Sequence, residues 1–150
     1  MAANRDSMLD IQRVSMSDKM FGVLSAGYGT NDVEIVATIV RNLLSSGCFE
    51  QNIKIRKVPS VDDIPLGVQF FAEYTDVDAV IVLSYDDTLP DYIKSAVIQL
   101  QIQWNMPVVF GSELNTYWKA HGTAMDMVSL QVMMEAESAE SVKSNPRSIN

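Results

Sequence analysis

The sequence predicts an α/β fold, a three-layer sandwich with a four-stranded parallel sheet flanked by helices. Three observations carry this expectation. Short apolar runs alternate with segments whose apolar residues recur at helical spacing, the pattern of parallel strands joined by crossover helices. The run Asp78-Ala79-Val80-Ile81-Val82-Leu83 is almost continuously apolar, as a strand buried on both faces must be. A chain of 150 residues with 47% hydrophobic content is long enough to bury the core of one such domain.

The elements follow in order. Phe21 to Ala26 is a short apolar run closed by Gly27 and Gly29, the first strand. Asn31 or Asp32 then caps a helix whose apolar residues are Val33, Val36, Ile39, Val40, Leu43 and Leu44, and Gly47 ends it. Ile53 to Val58 is the second strand. Asp62 or Asp63 caps the next helix, with Pro65 in its first turn, where a missing N–H costs nothing, and Val68, Phe71 and Ala72 facing inward. After the strand at 78–83, a helix from about Pro90 to Trp104 carries Ile93, Ala96, Val97, Leu100 and Trp104 on one face and Ile98 and Ile102 on another. Met106 to Gly111 is the fourth strand. A last helix runs from near Thr116 to about Ala136, again with two apolar stripes, one through Met125, Val128 and Val132 and one through Met127, Leu130 and Met134. Helices apolar on two sides need a second partner, which points to a subunit interface. Residues 1–20 read as an N-terminal arm, 21–136 as the domain and 137–150 as a loose polar tail.

The net charge of −8, with eleven scattered Lys and Arg, argues against nucleic acid as a partner. No apolar stretch approaches a membrane span. The first twenty residues lack the apolar core of a signal peptide and are not acid-poor, which leaves the cytoplasm as the default compartment. The single cysteine, Cys48, excludes an internal disulfide and a cysteine metal set.

In an open α/β sheet a ligand sits at the carboxyl ends of the strands. Those ends are Gly27-Tyr28-Gly29, Val58 to Asp63, Ser84 to Leu89 and Phe110 to Leu114. They hold two rings able to stack on a flat ligand, Tyr28 and Phe110, and four carboxylates, Asp62, Asp63, Asp86 and Asp87. Gly27-Tyr28-Gly29-Thr30-Asn31-Asp32 opens like a dinucleotide fingerprint, but Asp32 stands where the third glycine belongs and would oppose a pyrophosphate. Adjacent aspartates diverge, so capping accounts for the first acidic pair and turn formation for the second, and no metal or cofactor is expected. His121 is the lone histidine, and no serine sits in a nucleophile elbow.

Val58-Pro59-Ser60-Val61-Asp62-Asp63-Ile64-Pro65 resembles the V-P-G-A-F-E-I-P signature of the lumazine synthase family. The strand DAVIVL (78–83), the run MPVVFG (106–111) beside the family's V-P-V-I-F-G, and His121-Gly122-Thr123-Ala124 beside its A-G-T-K-A-G-N-K-G follow in the same order. The resemblance runs from about Phe21 to Glu135. It implies a flavodoxin-like fold, pentamers or larger shells, and condensation of a ribityl-pyrimidinedione with a butanone phosphate in riboflavin biosynthesis, at a site shared between subunits. On that reading Tyr28 stacks on the ligand, Val61, Asp62 and Asp63 stand where the family holds the ribityl chain, and Phe110 closes the pocket from the adjacent subunit. The third loop departs from the family. Where the family writes G-x-V-I-R-G-A-T-x-H, a phosphate cradle and a proton-moving histidine, this chain has Ser84-Tyr85-Asp86-Asp87-Thr88-Leu89-Pro90. Of the basic residues, only Lys119 stands near the place of the family's phosphate-binding Arg before A-G-T, and a rewired site would bring Lys119 and His121 in from elsewhere.

The expected protein is therefore a homo-oligomeric, lumazine-synthase-like subunit with a degenerate active site, a pseudoenzyme that assembles or binds a flat lumazine-like or flavin-like ring. The alternative is an active 6,7-dimethyl-8-ribityllumazine synthase with a site rewired through His121 and Lys119.

Overall fold

The computed structural model describes residues 12–27 and 32–144. Its strands are β1 (Phe21–Ala26), β2 (Ile53–Val58), β3 (Ala79–Ser84) and β4 (Val108–Ser112), all parallel, in the order β2-β1-β3-β4. Between them run α1 (Asp32–Ser45), α2 (Ile64–Tyr74) and α3 (Asp91–Trp104), and α4 (Tyr117–Ser144) follows β4. Short 3-10 turns, Glu50–Asn52 and Val61–Asp63, precede β2 and α2.

β3 explains why its sequence is apolar throughout. Side chains alternate across a strand, so Ala79, Ile81 and Leu83 enter one apolar layer while Val80 and Val82 enter the other. The first layer joins Phe21 and Val23 of β1 to Ile39 and Leu43 of α1 and to Ala124, Met125 and Val128 of α4. The second joins Leu24 to Ile64, Val68 and Phe71 of α2 and to Ile93 and Val97 of α3. Each fully buried aliphatic or aromatic side chain contributes roughly 1.5–3 kcal/mol. The sandwich and its four parallel strands are as expected.

Two glycines set how closely α2 lies on the sheet. A Cβ on Gly67 would stand 2.8 Å from a Leu24 methyl and 3.0 Å from one of Val58, and a Cβ on Gly22 would stand 2.8 Å from the Phe71 ring. Gly47 ends α1 with φ of 105°, a conformation that favours glycine.

Four details differ from the sequence reading. α4 continues to Ser144, eight residues past the expected end at 136, because Glu137, Ala139 and Glu140 are compatible with a helix and no proline comes before Pro146. The fourth strand, expected from Met106 to Gly111, runs from Val108 to Ser112, with Phe110 inside it and two residues short of its end. Asp63 occupies the N-cap position of α2 without capping it, since its carboxylate reaches back to Ser60. Val33, expected to face inward, is 81% exposed. Before β1, Met16 is buried, Val14 donates its N–H to Ser129 Oγ at 3.1 Å, and Arg13 pairs with Asp126 at 2.7 Å. Asp78 clasps the start of β1, accepting the Met20 N–H at 2.8 Å and donating its own N–H to the Met20 carbonyl at 2.7 Å.

The second stripes of α3 and α4 are uncovered. Ile102 is 78% exposed and Met134 56% exposed, and with Met127, Leu130, Met106 and Pro107 they line a groove of about 670 Å³. Gln131 spans its end, donating to the carbonyl of Asn105, the left-handed residue that terminates α3.

Candidate functional site at the strand carboxyl ends

The strand order reverses direction between β1 and β3, so the loops after those two strands flank the switch point where open α/β sheets bind ligands. Gly27, with φ of 86°, turns the chain out of β1 and donates its N–H to the Val58 carbonyl at 3.3 Å. Tyr28 lies outside the described residues.

The turn after β2 is tied into the fold. Asp63 accepts from the Ser60 N–H at 3.1 Å and the Ser60 hydroxyl at 3.2 Å. Val61 is half-buried and packs on the α2–α3 layer. Asp62 accepts a 2.8 Å bond from the Tyr92 hydroxyl, which joins this turn to α3. That bond and the adjacent negative charge raise the tyrosine's pKa above its ordinary value.

The turn after β3 is built the same way. Asp86 Oδ1 accepts from the Thr88 N–H at 3.0 Å and the Thr88 hydroxyl at 2.6 Å, while its carbonyl receives Ser84 Oγ at 2.8 Å. Asp87 accepts from Asn115 Nδ2 at 2.9 Å and from Thr116 Oγ1 at 3.4 Å, linking the loops after β3 and β4. Asn115 is the main cause of a lowered Asp87 pKa, with Ser112 and Thr116 assisting and Lys119 adding a favourable charge. Buried Ser112 anchors the β4 turn by accepting the N–H groups of Asn115 and Thr116. All four aspartates therefore hold loops, through bonds that the first carboxylate pair makes to Ser60 and Tyr92 and the second to Thr88 and Asn115.

Phe110 points into the α2–α3 layer from β4. Lys119 is exposed on the first turn of α4, at the same rim as Asp87. His121, one half-turn further, faces the segment before β1: burial and then the Arg13 charge lower its pKa, with the Trp118 carbonyl acting in the opposite direction. Its Nδ1 is buried without a well-formed hydrogen bond among the described residues. His121 and Lys119 thus answer to different neighbours. The rim carries three exposed rings that the sequence reading did not single out, Tyr85, Tyr92 and Trp118. Their positions in the turn or first helical turn after a strand were the available signal. Among the described residues, no three His, Cys, Asp or Glu side chains converge as a metal site would need, and no helix is long and apolar enough to cross a membrane.

No family model matches the chain. Three proteins named 6,7-dimethyl-8-ribityllumazine synthase do resemble it. The one from Cytophaga hutchinsonii is 27% identical over 106 residues, covering 65% of this chain and 67% of that protein. The one from Parabacteroides distasonis is 30% identical over 104 residues, 63% of this chain and 65% of that protein. The one from Desulfosudis oleivorans is 25% identical over 109 residues, 65% and 68% of the two chains. The chain thus spans about two thirds of the length of the curated relatives it matches. A solution structure of a phosphate-loop protein shares the fold, with a TM-score of 0.50 at 14% identity over 75% of this chain and 93% of that one. The sequence matches support a distant lumazine-synthase-like relationship.

Proposed function

We propose that this protein is a lumazine-synthase-like subunit of a cytoplasmic homo-oligomer, a pentamer by resemblance, that does not carry out the phosphate-dependent condensation. The observation that carries the proposal is the turn after β3. A phosphate dianion needs N–H donors and positive charge. This turn offers Asp86 and Asp87, and the bonds from Asn115 favour the ionised form of Asp87. Carboxylates at the rim repel a phosphate dianion, and nothing in the turn supplies the opposite charge that would offset them. Loss of a general acid–base residue removes a further factor of ~10²–10⁴.

A flat, uncharged ring such as a lumazine or the flavin of riboflavin meets no such penalty. Stacking on an aromatic side chain is worth ~0.5–1.5 kcal/mol. Tyr28 is the stacking residue by resemblance, and Val61, Asp62 and Asp63 would frame the ribityl chain, with Phe110 of the adjacent subunit closing the pocket. Asp62 and Asp63 keep acceptor capacity beyond the bonds they make, since an ionised carboxylate has about four lone-pair sites.

Flavin fluorescence during titration with riboflavin and with riboflavin phosphate tests this reading on the wild type and Tyr28→Ala. Riboflavin is expected to bind more tightly than its phosphate, and Tyr28→Ala to weaken it. Tighter binding of the phosphate, or indifference to Tyr28, contradicts the reading. The competing reading, an active rewired enzyme, has in its favour that Lys119 reaches the rim. It requires His121→Ala to abolish turnover, which a non-catalytic subunit does not.

A further inference from the structure

We propose that the groove between the free edge of β2 and α2 is a second binding site, for a flat aromatic carboxylate. It meets the turn after β2 at Val58 and Pro59, lies apart from the turns after β1 and β3, and does not depend on the function proposed above. Among the described residues, β2 has a strand neighbour on one side only, β1. Beside its other edge, α2 leaves a cavity of about 520 Å³, within the range of small-molecule sites. Leu24 and Phe71, both buried, form the floor. Phe70 and Tyr74 form a wall, their rings tilted at 42° with centroids 5.9 Å apart. Arg56, on the same face of β2 as Val58, supplies positive charge, and Lys57 stands beside it at the strand edge.

Two features set this groove apart from an ordinary helix–strand crevice. The first is charge. The chain carries a net −8, yet among the described residues no Asp or Glu lines the cavity, and three of its eleven basic residues, Lys54, Arg56 and Lys57, fall on one six-residue strand. Cations on an edge strand also discourage pairing with other strands, which accounts for the charges and not for the rings. The second feature is the rings. Tyr74 is 75% exposed and Phe70 47% exposed, one turn apart on a face where water is the present neighbour.

Arg56 is already oriented. Its Nη1 donates to the Ile55 carbonyl at 2.7 Å, using one of five N–H donors and holding the guanidinium along the strand edge. The same bond occupies a backbone acceptor that an added strand would compete for, so the groove favours a compact ligand over an extended peptide. A ring laid against the Phe70–Tyr74 wall with a carboxylate turned to Arg56 matches the lining, because a guanidinium pairs with a carboxylate through two parallel bonds.

Calorimetric titration of the full chain with 1-naphthoate and with 1-naphthamide, its neutral analogue, tests the site, with sedimentation run alongside. The acid is expected to bind at one site per chain and more tightly than the amide. Arg56→Gln with Lys57→Gln should weaken the acid about tenfold and leave the amide unchanged. Tyr74→Ala should weaken both about fivefold. Tyr74 is exposed, so this variant is expected to fold, which circular dichroism checks. Equal affinity for acid and amide, absence of saturable binding, or indifference to Tyr74→Ala overturns the proposal. So does a change of oligomeric state in Tyr74→Ala without an effect on naphthoate, which would make the aromatic wall a contact between copies of the chain.

Discussion

The Phe71 ring fills the space that a Cβ on Gly22 would need, with 2.8 Å from that Cβ position to the ring edge. β1 is the central strand through which both apolar layers pass, so the absence of a side chain at Gly22 fixes how α2 seats on the sheet. Gly22→Ala is expected to destabilise the fold by ~1–3 kcal/mol through overpacking. Adding Phe71→Leu should recover part of that loss, giving a coupling of at least ~0.5 kcal/mol in a double-mutant cycle. Urea unfolding of the four proteins measures it. Strict additivity would show that the ring and the glycine are not in register as described.

Asn115 holds Asp87 ionised, and the two loops it joins are otherwise linked by backbone bonds from Glu113 and Leu114 to the Ser84 and Tyr85 carbonyls. Asn115→Ala should raise the Asp87 pKa toward the ordinary aspartate value, as carboxyl NMR titration would record. The pKa is depressed in the folded state, so the contribution is present above the unfolded value and is lost as pH falls through the folded one. Acid unfolding of Asn115→Ala should accordingly be less steep than that of the wild type.

His121 predicts a second pH effect. Burial and Arg13 lower its pKa below the ordinary 6.5. The unfolded chain takes up the proton first, so stability is retained above that value and falls as pH drops below it toward the folded pKa. Melting temperatures from neutral pH down to about pH 5 should decline in the wild type and decline less in His121→Gln. Arg13→Ala should cost ~0–1 kcal/mol, because its pairing with Asp126 is exposed, and should raise the His121 pKa.

The uncovered stripe of Ile102 and Met134 is the face best suited to self-association among the described residues. Ile102→Asp with Met134→Asp should convert an oligomer to monomer in sedimentation velocity without loss of secondary structure. A monomeric wild type at micromolar concentration would contradict the homo-oligomer.

β1, β3 and β4 were legible as short apolar runs bounded by glycine, proline or polar residues, β3 having to be apolar to fill two layers at once. β2 was legible as a run in which Ile53, Ile55 and Val58 are interspersed with Lys and Arg. The helices were legible where one face is buried. The end of α4 was not, since past Ala136 the apolar period stops while residues that tolerate a helix continue, and an exposed helix needs no period. At the candidate site, the turn-forming role of Asp86 and Asp87 could be read locally, from Thr88 two residues on and from the loop composition. The bonds Tyr92–Asp62 and Asn115–Asp87 could not, because they span 30 and 28 residues and depend on where α3 and the β4 turn come to rest. The fourth strand was read as Met106 to Gly111 and runs from Val108 to Ser112, because Met106 and Pro107 are apolar without entering the ladder.

Steady-state assay of the purified protein with the ribityl-pyrimidinedione and the butanone phosphate, following lumazine absorbance, tests the central claim most directly. The carboxylate-bearing turn after β3 predicts a rate indistinguishable from the uncatalysed condensation, unchanged in His121→Ala. Turnover at ordinary enzyme rates, ~1–10³ s⁻¹, abolished by His121→Ala, would contradict it and make this chain a working synthase with a rewired site.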